Sequence, residues 1–178
     1  MYGLSALPEL PKAVMDNRFA WDPDEIEIDR NRRSVYVYQR RNFPLPLFQA
    51  FDAPDRINSC PVRMTTVTTP QVLLMLNGEF TVAQARHIAG RILAATADAD
   101  ELVRQAYQSV MGRAAGADEV SRGRLFLDQQ AQRIGTHPAD AVQTLPTPMP
   151  AKVDAGHGAA LVDLCHALLN SAEFLYIE

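Results

Sequence analysis

The sequence predicts a mostly α-helical fold: a compact bundle of about five helices behind an irregular Pro/Arg/aromatic-rich N-terminal third. Three observations predict it. Apolar residues recur at spacings of three and four over Val82–Leu93, Leu102–Met111 and Val120–Ile134, the period of a single helix face. Side-chain oxygens stand before helical stretches and glycines stand after them, the order of helix starts and stops. Connectors are short through residue 134, which favours neighbouring helices in a bundle. The chain has 178 residues and is 47% hydrophobic, enough for a core within one domain. The expected division is an N-terminal arm at 1–31 and a helical domain at 32–178, with a mobile Pro-rich loop at 135–158.

In chain order, Pro8 and Pro11 break up the first apolar groups. At most a short helix follows over Pro11–Asn17, where Pro suits the first turn. Asp22, Asp24, Glu25, Glu27 and Asp29 precede Arg30, Arg32 and Arg33. A Ca²⁺ loop would need a Gly at a tight turn and a spaced terminal Glu; without them this reads as a solvated acidic run. Val35–Tyr38 favours a strand by propensity, and a short buried helix is equally allowed. Phe43-Pro44-Leu45-Pro46 is extended, because each proline biases the residue before it out of the α region. A helical turn from Leu47 to Phe51 and a polar loop over 52–69 follow.

Thr68 or Thr69 then caps a helix with Pro70 in its first turn. Val72-Leu73-Leu74-Met75-Leu76 is the longest unbroken apolar run. Being apolar all round, this helix is expected to be buried and to organise the rest, and Gly78 is expected to end it in a left-handed conformation. A second helix from near Thr81 buries Val82, Ala85, Ile88, Ala89, Ile92 and Leu93. A third, capped by Asp98 or Asp100, uses Leu102, Val103, Ala106, Tyr107, Val110 and Met111. A fourth, about Asp118 to Ile134, buries Val120, Leu127, Ala131 and Ile134, with Leu125 and Phe126 widening the stripe. Four prolines interrupt Gly135–Gly158. The last helix, Ala159–Asn170, buries Leu161, Leu164, Cys165, Leu168 and Leu169, and Ser171 caps a terminal turn.

Net charge is -4, which argues against nucleic acid as the main partner. No stretch is long and apolar enough for a membrane span, and no signal-peptide pattern is present. The two cysteines, Cys60 and Cys165, read as buried free thiols; a bridge between them would imply an oxidising compartment. Covalent haem needs Cys-x-x-Cys-His, and Val162 stands where the first thiol belongs. His87, His137, His157 and His166 are scattered, so no zinc set is read. Asp163 and His166, one turn apart, read as a surface polar pair. No nucleophile elbow or phosphate loop occurs. No cofactor and no catalytic residue is read in this chain. The one candidate binding group is Arg32, Arg33, Arg40 and Arg41 with Tyr36, Tyr38 and Phe43. Guanidinium forks suit carboxylates and phosphates, and aromatic faces offer stacking. A polysaccharide, a polyanion or an acidic protein surface fits that chemistry. The alternative is structural, with these arginines tying the proline-rich segment to Asp52, Asp55 or helix carbonyls.

Arg32-Arg33-Ser34-Val35-Tyr36, Arg40-Arg41-Asn42-Phe43-Pro44-Leu45-Pro46, Phe51-Asp52-Ala53-Pro54, Thr68-Thr69-Pro70-Gln71, Leu76-Asn77 and Phe80 form an ordered series. Ala106-Tyr107, Gly112-Arg113, Glu119, and the tail from Asp163-Leu164-Cys165-His166 to Leu169-Asn170-Ser171-Ala172-Glu173-Phe174-Leu175 extend it. The series resembles the C-terminal part of domain of unknown function 1553, a family of large planctomycete proteins. The resemblance implies upstream domains of the same parent as partners, haem only in an upstream cytochrome-c-type module, and export to a periplasmic or extracellular location. It assigns no reaction, and it favours the structural role for Arg33 and Arg41. The chain opens where only the last fraction of such a protein is expected to open, and Pro138–Pro150 reads as an insertion. The functional reading is a non-catalytic scaffold or interaction module. The alternative is half of a carbohydrate- or polyanion-binding or catalytic site completed upstream.

Overall fold

A computed structural model describes residues 46–54, 58–62, 66, 68–136, 144–151 and 153–176. The arm at 1–31, the Val35–Tyr38 segment and the rest of the chain up to residue 45 lie outside the described residues. The chain divides into two units, Met1–Thr66 and Val67–Glu178.

In the first unit, α1 (Pro46–Ala50) is the helical turn expected from Leu47, but it begins one residue earlier and takes in Pro46, expected extended, at its first position, where a missing N–H costs nothing. The Ala53 N–H donates to the Phe48 carbonyl at 2.8 Å. Asp52 then takes a positive φ of 51°, a left-handed conformation that Asp tolerates better than most residues. Its carboxylate accepts the Thr66 backbone N–H at 2.7 Å and the Thr66 hydroxyl at 2.6 Å. The two ends of the polar loop are thereby fastened to each other.

The second unit holds α2 (Thr69–Asn77), α3 (Glu79–Ala95), α4 (Ala99–Met111), α5 (Ala117–Thr136), α6 (Ala155–Leu169) and α7 (Ala172–Leu175). No strand occurs among the described residues, and the fold is mostly α, a helical bundle. The start signals act largely as read. Asp98 accepts the Glu101 N–H at 2.9 Å, and Ser171 accepts the Phe174 N–H at 3.3 Å. Gly112 closes α4 at φ 72°, the conformation that selects glycine there.

The centre of the bundle is α6, which packs against α3, α4, α5 and α7. Ten of its fifteen residues are buried, so it is enclosed on nearly every side. Around it lie Ala85, Ile88, Ala89, Ile92 and Leu93 of α3, Val103 and Ala106 of α4, and Leu127, Ala131 and Ile134 of α5. Close approach needs small residues. A Cβ on Gly123 of α5 would come 2.6 Å from Val103 Cγ1, well inside van der Waals contact. Leu125, expected to widen the α5 stripe, is 57% exposed, because it sits two residues from Leu127 and points to the far side of the helix.

Two expectations change. α6 starts at Ala155, four residues early, with Asp154 accepting the Gly156 N–H at 2.9 Å and the His157 N–H at 3.2 Å. The prolines made this segment read as loop, but the glycines of its last turn are buried at contacts: a Cβ on Gly158 would meet Pro146 at 3.1 Å. The described part of the Pro-rich loop, 144–151, is fastened to α3. Arg86 Nε donates to the Leu145 carbonyl at 2.6 Å, and the Thr147 N–H donates to the Arg86 carbonyl at 3.0 Å. Pro146 is buried.

The larger correction concerns α2, which is not the buried organiser. Its only buried residue is Gln71. At 100° per residue, Gln71, Leu74 and Met75 share the inward arc while Val72, Leu73 and Leu76 share the outward one. Gly78 ends α2 in an extended conformation, φ -69° and ψ 129°, and at once becomes the N-cap of α3. There is no room for a left-handed terminal turn when the next helix begins at the following residue.

Leu161 is fully buried, and Leu161→Ala is expected to cost about 2–5 kcal/mol. Leu73→Ala, on the outward arc, is expected to stay within about 0.5 kcal/mol of wild type. Urea unfolding of both variants measures this; equal losses would return α2 to the core.

Candidate interaction surface

The residues proposed from the sequence for binding, Arg32, Arg33, Tyr36, Arg40 and Arg41, lie outside the described residues, as do Tyr38 and Phe43. Polar chemistry elsewhere gathers most densely at the α4–α5 turn. Chain reversal at Gly112 brings Arg113 opposite the first turn of α5. Its Nη1 and Nη2 each donate to a Glu119 carboxylate oxygen at 2.8 Å. Its Nε and Nη2 donate to Glu173 of α7 at 2.6 and 2.8 Å, and Nη1 also reaches the Ala114 carbonyl at 3.1 Å. All five guanidinium N–H groups therefore have acceptors, and the group stands 5.4 Å from the centre of the Tyr107 ring. Glu119 also accepts the Gly116 N–H at 2.7 Å. The Arg113 fork, then the Gly116 N–H, hold the Glu119 carboxyl at about 2. Arg113 likewise lowers Glu173. Burial, more than the nearby charges, raises the Tyr107 phenol. With no donor left over on Arg113, this is a clamp between the turn and α7 and offers nothing to a ligand.

The Asp163–His166 pair does not form. Asp163 is half-buried and accepts Gln130 Nε2 of α5 at 2.7 Å, and burial raises its carboxyl. His166 Nε2 lies 3.3 Å from the Met75 carbonyl of α2. Each side chain serves a different neighbouring helix. Both cysteines are free, but only Cys165 is buried. Burial pushes its thiol up to about 12, which leaves it unreactive. Cys60, expected inside, is exposed, its thiol donating to the Val62 carbonyl at 3.2 Å. Among the described residues no group of three His, Cys, Asp or Glu side chains is placed to hold a metal ion, and no helix is long and apolar enough to cross a membrane.

What the structure does present is apolar. Val72, Leu73 and Leu76 on α2 are 48, 51 and 49% exposed, and Phe80 in the first turn of α3 is 64% exposed. The helix carrying the first three is well defined at its start, where Gln71 Oε1 reaches back to the Thr68 N–H at 3.1 Å, the return bond of a capping box. Sequence reasoning counted the three α2 residues as core. The available signal was the neighbouring Gln71, a polar residue that an all-round buried helix would have to satisfy.

The family model described as PSD1, protein of unknown function (DUF1553), matches residues 1–127. The chain belongs to the DUF1553 family. No curated protein and no solved structure matches it. The DUF1553 match takes in α2 with its outward face and three of the four clamp residues, Tyr107, Arg113 and Glu119. It ends within α5, so Glu173 and the tail series beginning at Asp163 lie beyond it.

Two measurements test these placements in the DUF1553 chain. A carboxyl lowered on folding adds stability that is complete above its unfolded value and is lost as pH falls toward its folded value. The melting-temperature gap between wild type and Glu119→Gln is expected to be widest above pH 4.5 and to close as pH falls toward 2. A gap constant over that range would show that the clamp does not couple to folding. An aromatic disulfide reagent is expected to titrate one thiol per native chain, Cys60, and both in denaturant; two native equivalents would place Cys165 outside the core.

Proposed function

We propose that this chain is a non-catalytic helical scaffold, an interaction module from the C-terminal end of a large exported planctomycete protein. It serves to join other domains of that parent through the outward face of α2. The observation that carries the reading is the exposure of Val72, Leu73, Leu76 and Phe80 on and beside a helix with a firm N-terminal cap. A capped helix offers its side chains in fixed positions, so little ordering is lost on association. Large apolar groups clustered at a surface mark contact sites more often than single ones do. The polar groups support the same reading, because Arg113, Glu119, Glu173, Asp163 and Arg86 are engaged in holding elements together. Haem, where such a parent has it, belongs to an upstream module.

Triple substitution Val72→Ser, Leu73→Ser and Leu76→Ser removes the outward face and leaves Gln71, Leu74 and Met75 inward. It is expected to keep wild-type helicity and to abolish co-purification with the upstream part of the parent expressed in trans. Retained co-purification at equal helicity would overturn the reading.

A further inference from the structure

Beyond the scaffold role, and independent of it, the outer side of α4 carries two hollows, one against the second half of α3 and one against the α4–α5 turn. Two adjoining hollows of about 420 and 400 Å³ both include Gln105 and Ser109 in their walls, each within the size range of small-molecule sites. The walls carry two guanidinium groups, Arg91 and Arg104, and one carboxylate, Glu101, a positive balance on a chain of net charge -4.

The bonding already made there decides what is left for a ligand. Glu101 is occupied: it accepts Gln105 Nε2 at 3.1 Å and lies 3.7 Å from Arg104 Nη1. Arg91 has no acceptor among the described residues, in contrast to Arg86, Arg113 and Arg124, which are held by the Leu145 carbonyl, by Glu119 and Glu173, and by Asp100. The Ser109 hydroxyl likewise has no partner among the described residues. A free guanidinium selects a carboxylate. Hydroxyl and amide groups, each both donor and acceptor, match the hydroxyls of a polyol.

We infer that the hollow between α3 and α4 binds a sugar acid, with Arg91 on the carboxylate and Ser109 and Gln105 on the hydroxyls. The sugar acid is either a free monosaccharide or a residue of an acidic polysaccharide. Both share this chemistry, and the experiment separates them.

The test titrates the whole chain, labelled for amide NMR, with galacturonate, tetragalacturonate, galactose and a tetraglutamate peptide. Saturable shifts are expected at Arg91, Gln105 and Ser109 with galacturonate. The pairing is solvent-exposed, so Arg91→Leu is expected to weaken binding roughly fivefold without altering the melting temperature. Tighter binding of the tetramer than of the monosaccharide would assign the site to a polysaccharide; equal binding per sugar would assign it to the free acid. No saturable shift, galactose bound as tightly as galacturonate, the peptide bound more tightly than either acid, or unchanged affinity in Arg91→Leu would each overturn the assignment. None of these outcomes involves α2, so failure here leaves the scaffold reading to its own test.

Discussion

The enclosure of α6 is the constraint from which the rest of the second unit follows. A helix buried on one face needs one neighbour, whereas a helix buried on nearly every side needs several, each at close range. The sequence meets that need with size. Gly156, Gly158, Ala159 and Ala160 let the preceding proline-rich segment and α5 come near, and Leu161, Val162, Leu164 and Leu168 fill the space beyond. Few polar groups sit on the helix, and those that do are matched. Asp163 would be costly where it is without the Gln130 amide, and His166 is turned toward the α2 carbonyl of Met75. These two bonds fix the positions of α5 and α2 on a surface where apolar contact alone would leave them free to slide.

At the other end of the bundle the problem differs. The α4–α5 turn and α7 are exposed, with little apolar area to hold them. Arg113 supplies directional bonds instead, forked on Glu119 and shared with Glu173. Exposed ion pairs contribute little one at a time. A guanidinium with every donor engaged, beside an aromatic face, works mainly by fixing geometry. It ties the start of α5 to α7, at the end of the helix whose Leu127, Ala131 and Ile134 join the core around α6.

Where local rules are sufficient, the fold was legible. Asp98 and Ser171 cap, Gly112 reverses, and the apolar spacings of α3, α4 and α5 find the core, because each depends on residues within one or two turns. Long-range packing was not legible. The first turn of α6 was missed because what its glycines make room for, Pro146 beside Gly158 and Ala131 of α5 beside Gly156, belongs to other segments. The run Val72–Leu76 read as core because hydrophobicity alone does not say how many neighbours a helix has. The clamp joins Arg113 to Glu173 across sixty positions, and nothing local marks that pairing. The family resemblance did single out Tyr107, Arg113, Glu119 and Glu173, without saying that they meet. The arginine and tyrosine group at Arg32–Arg41 lies outside the described residues and keeps its status as a reading of the sequence.

The contrast between engaged and unengaged side chains orders the surface by function. Arg113 and Arg91 are both arginines of the same unit, but Arg113 has given all its donors to the protein while Arg91 has given none. Leu74 and Leu73 are adjacent in one helix, but Leu74 faces the bundle and Leu73 faces water. In each pair the residue types are identical, so composition and propensity cannot separate them. Only the position of the neighbours does. The proposed scaffold role would draw on both kinds: groups whose bonding is complete to keep the helices in register, and groups whose bonding is incomplete to meet something else. Among the described residues the first kind centres on α6 and the Arg113 clamp, and the second includes the outward arc of α2 and the hollow beside Arg91.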